Sequence, residues 1–252
     1  MKLYEFCFSP TGGSLKVSEI LSRAWDCEKV FVDLTRQEGS YPVPGKEDVC
    51  IVTAPSYSGR VPAPEAERLQ KLSGNGAAAV LVTVYGNRAF EDTLIEMKDL
   101  LMQAGFHCAA AVAAIAEHSI MREVAAGRPD AQDEAELEDF GRQIRCVLEE
   151  GRGAESVQVP GNHPYRETHA SALKPAANKS CVRCGACAAQ CPAGAICKED
   201  PTQTDTERCF ACMRCIKICP HHARTLDAGV LAALTQRLEK ACAGRKENEL
   251  FL

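Results

Sequence analysis

Cys181-Val-Arg-Cys184-Gly-Ala-Cys187-Ala-Ala-Gln-Cys191-Pro192 is followed by Cys209-Phe-Ala-Cys212-Met-Arg-Cys215-Ile-Lys-Ile-Cys219-Pro220. One pattern, C-x2-C-x2-C-x3-C-P, therefore occurs twice within forty residues. This spacing is a sequence rule for holding two [4Fe–4S] cubanes. Three thiolates placed three residues apart wrap one region of a cube on a short loop. The fourth cysteine opens a helical stretch and points elsewhere. Zinc is the competing chemistry, since CxxC pairs also build tetrahedral zinc sites. Zinc ribbons use two separated pairs, which fits two overlapping CxxC steps poorly. A disulfide framework fits less well still. Met1-Lys2 runs straight into a strand-like segment, so no signal peptide is expected and the chain reads as cytoplasmic. Fifteen cysteines in such a chain point to metal or redox chemistry.

A second group of residues could hold a phosphate and a flat ring. Ser9-Pro-Thr11-Gly12-Gly13-Ser14 lies between a strand-like segment and a helix. Small residues let the backbone close round an anion, and the helix N-terminus offers free N–H groups and a positive dipole end. Ser9, Thr11 and Ser14 add hydroxyls. No Walker lysine follows, and the loop is not G-x-G-x-x-G, so a phosphate monoester is favoured over a triphosphate or dinucleotide. Two further loops carry a tyrosine among small residues: Pro55-Ser56-Tyr57-Ser58-Gly59 and Tyr85-Gly86-Asn87-Arg88. Such loops supply flat apolar faces and backbone donors for a planar ligand. Glu117-His118-Ser119 follows the last strand-like run. His118 is a candidate proton donor, because histidine titrates near neutral pH. A plain hydrogen-bonded histidine is the competing reading.

The elements that must position these groups divide the chain. Strand-like runs fall at Lys2–Phe8, Lys29–Leu34, Val49–Thr53, Ala77–Val84 and Phe106–Ile115, with helical stretches between them. In Asp133–Glu150 the apolar residues Leu137, Phe140, Ile144 and Val147 recur at helical spacing. Alternation of this kind implies a parallel sheet with helices on both faces. Five strands suggest the doubly wound order 2-1-3-4-5, with the ligand at the carboxyl edge. Residues 151–178 are rich in Gly, Pro, Ser and Ala without a period and read as a linker. The organisation is then 1–150, a linker over 151–178, a cysteine-rich domain over 179–228, and a C-terminal helix and tail over 229–252. With 252 residues, 46% of them hydrophobic, the chain has material for such cores. A net charge of −5 argues against nucleic acid as partner. No apolar run approaches the ~18 residues of a membrane span. Cys7, Cys50 and Cys108 fall on strands and read as small buried hydrophobes.

The chain resembles the flavodoxin–ferredoxin fusion family. The resemblance runs along nearly its whole length: SPTGGS, PSYSGRVP, VYGNRAFEDTL, AEHSI and the two cysteine repeats. It implies an α/β flavodoxin-like domain joined to a small α+β two-cluster ferredoxin domain. It implies FMN, its phosphate at Ser9, Thr11, Gly12, Gly13 and Ser14. The ring would lie beside Pro55, Ser56, Tyr57, Ser58, Tyr85, Gly86 and Asn87. Gly13 stands where many flavodoxins carry a second hydroxyl. In two-cluster ferredoxins the fourth cysteine of each motif serves the other cluster. Cys181, Cys184, Cys187 and Cys219 would then hold one cluster, and Cys209, Cys212, Cys215 and Cys191 the other. The implied role is electron transfer between FMN and two [4Fe–4S] clusters, with redox proteins as donor and acceptor. Two alternatives stay open. One is an FMN-dependent enzyme fed by the clusters. The other is a ferredoxin on a flavin-free scaffold.

Overall fold

The computed structural model describes residues 1–36, 40–151, 153, 155–168 and 171–252. The first domain alternates β1 (Leu3–Cys7), α1 (Gly13–Ser22), β2 (Lys29–Asp33), β3 (Val49–Pro55), α2 (Ala63–Leu69), β4 (Ala78–Tyr85), α3 (Thr93–Gln103), β5 (His107–Ile115) and α4 (Ala131–Glu149). Strands β1 to β5 are parallel in the order 2-1-3-4-5. β1, β3, β4 and β5 are apolar almost throughout, because helices cover both faces of the sheet. Successive residues serve opposite faces. Cys50, Val52 and Ala54 join Phe6, Phe8, Leu69, Leu94 and Met97 on the α2/α3 side. Val49 and Ile51 join Val17, Ile20, Leu137 and Ile144 on the α1/α4 side. Gly141 lets α4 approach α1, since a Cβ there would lie 2.7 Å from the Leu21 carbonyl oxygen.

The second domain holds β6 (Ala176–Ala177), α5 (Ala186–Ala189), α6 (Arg214–Lys217), β7 (Arg224–Thr225) and α7 (Ala228–Leu238). β6 and β7 pair antiparallel. The chain then returns to the first domain. β8 (Glu249–Phe251) pairs antiparallel with β5 and makes the sheet six-stranded. The five parallel strands stand in the expected order, and β8 is an antiparallel addition at their edge. The ladder is three residues long, too short for its alternation to show in the sequence. Asn248 fixes it, accepting the Ile115 N–H at 2.9 Å and donating to Asp133 at 3.1 Å.

The connector between the domains has little regular structure, yet it is laid along α3. The Asn162 and Arg166 N–H groups donate to the two oxygens of Asp92, at 2.9 and 2.7 Å. His163 bonds Asp99 at 2.6 Å, and the Arg60 guanidinium reaches the Arg166 carbonyl. The cysteine-rich domain is thus tied to the first at both of its ends. Among the described residues, no helix is long and apolar enough to cross a membrane.

Candidate functional site

Each cysteine motif folds through the same local device. Arg183 and Gly185 flank Cys184 with φ of 57° and 77°, and Ala211 and Met213 flank Cys212 with 58° and 64°. Left-handed residues on both sides of the second cysteine turn successive N–H groups inward, the concave arrangement that receives anions and Fe–S centres. Three of these four residues are not glycine, a cost that marks a functional loop. The fourth cysteines also match. Cys191 Sγ accepts the Ala195 N–H at 3.3 Å, and Cys219 Sγ accepts the Ala223 N–H at 3.2 Å.

These loops line two cavities. One is lined by Cys181, Cys184, Cys187 and Cys219. The other is lined by Cys191, Cys209, Cys212 and Cys215. Each cavity therefore takes three cysteines from one motif and the fourth from the other. Among the described residues, no three His, Cys, Asp or Glu side chains converge as a single metal ion requires. The sulfurs ring a volume instead. Burial pushes the Cys212 and Cys215 thiols up to about 12, so they need a cationic metal to become thiolates. Positive charge is also built in. Arg214 and Arg224 each have an Nε that is buried without a hydrogen-bond partner. Their other nitrogens bond neutral acceptors: Ser9 and Pro10 carbonyls and Gln190 for Arg214, and Pro175, Pro201 and Thr204 for Arg224. Buried cations call for negative charge nearby. Clusters with four thiolates each supply it, and the residues present fit them. Cys197 lines neither cavity and donates to Glu199.

The three loops of the first domain stand at the carboxyl edge of the sheet. Gly12 has φ of 99° with open space where a side chain would be, and α1 begins at Gly13. Ser9 Oγ accepts the Leu15 N–H at 2.9 Å. Thr11 is half-buried and Ser14 buried, in the first turn of α1. This end fits a phosphate. The ring-side residues already have partners. Ser56 bonds Thr93 at 2.8 Å. Tyr57 packs on Phe210 of the second cysteine motif, ring centroids 6.0 Å apart. Ser58 is exposed with φ of 56°, and Pro55 ends β3. Tyr85 is buried against Phe90 at 5.3 Å. Asn87, 3% exposed, donates to the Cys242 and Gly244 carbonyls of the returning tail.

His118 is folded into its own turn. Its Nδ1 accepts the Ile120 and Met121 N–H groups, both at 3.1 Å, leaving Nε2–H as its donor. Burial, then the nearby Arg88 charge, lower its pKa against the opposing pull of Glu123. A ring whose Nδ1 already accepts two backbone N–H groups supports the plain hydrogen-bonded reading over the proton donor. It also explains Gly86, where a Cβ would fall 2.5 Å from the His118 ring. Sequence reasoning missed Arg68, Glu65 and Asn248, whose importance is set by burial and by partners far away in sequence.

Residues 178–194 and 202–225 each match a family model described as a 4Fe-4S binding domain. The second domain is a 4Fe–4S binding domain of the ferredoxin kind. No curated protein matches the chain significantly. Among solved structures, the first domain is similar to a flavodoxin from the domain Archaea, at 11% identity and TM-score 0.42, over 59% of this chain and 99% of that one. It is similar to a Streptococcus pneumonia TIGR4 flavodoxin at 15% and 0.38, over 57% and 97%. A short-chain flavodoxin associated with a bacterial microcompartment gives 16% and 0.39, over 58% and 95%. The flavodoxin-like description rests on the strand order itself. The protein joins a flavodoxin-like domain to a 4Fe–4S ferredoxin domain.

Proposed function

We propose that the protein is an electron-transfer iron–sulfur flavoprotein, passing single electrons between two [4Fe–4S] clusters and FMN. The observation that carries the reading is the cross-motif lining of the two cavities, a complete thiolate set in each. Cys181, Cys184, Cys187 and Cys219 would hold the first cluster. Cys191, Cys209, Cys212 and Cys215 would hold the second. FMN would place its phosphate on the α1 N-terminus at Thr11, Gly12 and Gly13, with Tyr57 and Tyr85 toward its ring. A cluster moves one electron, and a flavin takes one or two, so the pair exchanges currency between carriers. Phe210 supports communication between the domains: it stands between Cys209 and Cys212 and packs on both Tyr57 and Phe8. Redox proteins serve as donor and acceptor, exchanging through the solvent-facing Cys184 side. Anaerobic reconstitution tests the reading. Iron and labile sulfide should each approach eight per chain, about four for each cubane, with one FMN. Stoichiometric zinc without labile sulfide would refute it.

A second reading has its own support. Tyr57, Tyr85 and Asn87 are engaged within the protein, as in a flavodoxin-like scaffold that docks the ferredoxin domain without a flavin. Reconstituted protein that holds both clusters and takes up no FMN would decide for that reading.

A further inference from the structure

The two cavities differ in their surroundings. The first is open: Cys184 and His221 are exposed, and Val182 beside them is 60% exposed. The second faces the flavodoxin-like domain, its Phe210 packed on Phe8 and Tyr57. There it meets Arg68 of α2, a residue outside both motifs and only 5% exposed. Arg68 donates to the Leu34 carbonyl and, across the interface, to the carbonyl of Pro192. Pro192 directly follows Cys191, and both line the second cavity. The acceptors of Arg68 are neutral, so its charge is not cancelled by them. Glu65, three residues back on the same helix, is fully buried, and neither of its oxygens has a hydrogen-bond partner. An ionised carboxylate in that state is too costly to persist. Burial accordingly raises the Glu65 pKa well above its usual range, against the pull of Arg68. Arg68 keeps its proton at any depth, because guanidinium stays charged in proteins. Arg214 and the Lys174 ammonium, which donates to the Cys209 carbonyl, add charge of the same sign to this cavity. Arg224 lines the first cavity, and its charge also reaches Cys215 of the second. Among the described residues the first has no other buried cation on its lining, and its exposed side is screened by water.

We propose that Arg68, supplied by the flavodoxin-like domain, raises the reduction potential of the second cluster above that of the first, so that an electron entering the ferredoxin domain rests on the cluster facing the flavodoxin-like loops. The inference rests on the two-cluster reading given above. Net charge and exposure are the levers that set Fe–S potentials. A fixed cation acts strongly in a site removed from water. Cluster potential is thereby coupled to domain docking: when the interface opens, Arg68 withdraws and the second cluster becomes a poorer resting place. Exposed cluster one exchanges with the partner, and cluster two holds the electron.

The test is an EPR-monitored redox titration of the reconstituted full chain, with viologens as one-electron mediators. Two one-electron steps are expected. Arg68→Gln should lower the upper step by about tenfold in equilibrium constant, about 59 mV for a one-electron couple, and leave the lower step in place. Arg68→Lys, which keeps the charge, should retain most of the upper value. Glu65→Gln should move neither step. In the unmodified protein carrying one electron, paramagnetically shifted β-protons should mark Cys191, Cys209, Cys212 and Cys215. Finding the electron on the Cys181 cluster overturns the proposal without recourse to any variant. An unchanged titration in Arg68→Gln overturns it too, as does a tenfold rise of the upper step in Glu65→Gln. A chain that takes up no labile sulfide fails the two-cluster reading instead, which keeps the two failures distinct.

Discussion

Asp133 is fully buried and gathers the returning tail. It accepts Arg128 Nε at 2.8 Å and Arg128 Nη2, Arg245 Nη2 at 3.0 Å, Asn248 Nδ2 at 3.1 Å and the Asp130 N–H at 2.9 Å. The Arg128 side chain is 5% exposed. Asp133→Ala leaves that guanidinium buried without its carboxylate. Breaking one partner of such a pair costs about 3–5 kcal/mol. Arg245 keeps its bonds to Asp130, so its share of the loss is small. Asn248 loses one of two acceptors and keeps Glu136. Urea unfolding measured by Trp25 fluorescence is the assay, because the single tryptophan is buried in the α1/α4 core. Hydrogen exchange at Leu250 should accelerate in parallel, since β8 depends on Asn248. The pH dependence has a definite sign. Burial pushes the Asp133 pKa up, but hydrogen bonds from Arg128 and Asp130 outweigh it and hold the group below 3.8. Its stabilisation is present above that value and is lost as pH falls through the lower folded value. The gap between wild type and Asp133→Ala should therefore close in acid. A loss under about 1 kcal/mol at neutral pH, within the range of an exposed pair, would refute this role of Asp133.

Glu65→Gln should become progressively more stable than wild type as pH rises, by about 1.4 kcal/mol per unit while the buried carboxyl stays protonated. The folded pKa is raised, so the stability Glu65 contributes is full below its ordinary 4.5 and falls as pH climbs. A constant difference between neutral and mildly acidic pH would show that Glu65 ionises freely. Thr11→Ala should weaken FMN binding by ~1–2 kcal/mol, the scale of one hydrogen bond to a charged group, measured by fluorescence titration. An unchanged affinity would move the phosphate away from this loop. Phe210→Ala should loosen domain docking, seen as faster proteolysis within 155–168, because the ring packs on Phe8 and Tyr57 at 6.1 and 6.0 Å. Unaltered cleavage would mean that the two chain crossings alone hold the domains together.

Much of this architecture is legible in the residues. The apolar runs Ala77–Tyr85 and Cys108–Ala116 are long enough to mark central strands, and β4 and β5 lie there. Helical spacing of Leu137, Ile144 and Val147 gives α4, although its start is set two residues before Asp133 by the Asp130 capping box. The cysteine spacing carries both motifs. What the sequence conceals depends on contacts distant along the chain. β8 is three residues added to an edge 134 positions away, Ile115 to Glu249, and no local pattern announces it. Asn87 reads as a ring-side residue by its loop, yet it grips Cys242 and Gly244. The connector looks loose in composition because its order comes from Asp92 and Asp99 on α3 rather than from its own periodicity. Arg68 sits in an ordinary amphipathic helix, and only the docked second domain gives it a role.

In the two-cluster reading, each cluster draws its fourth ligand from the other motif. Differential alkylation of reconstituted Cys191→Ala, read by mass spectrometry, tests it most directly. Cys191 is 18 residues before Cys209 in sequence but lines the same cavity. Cys209, Cys212 and Cys215 should become reactive while Cys181, Cys184, Cys187 and Cys219 stay protected. Reactivity at Cys181, Cys184 and Cys187, with Cys209, Cys212, Cys215 and Cys219 protected, would contradict it.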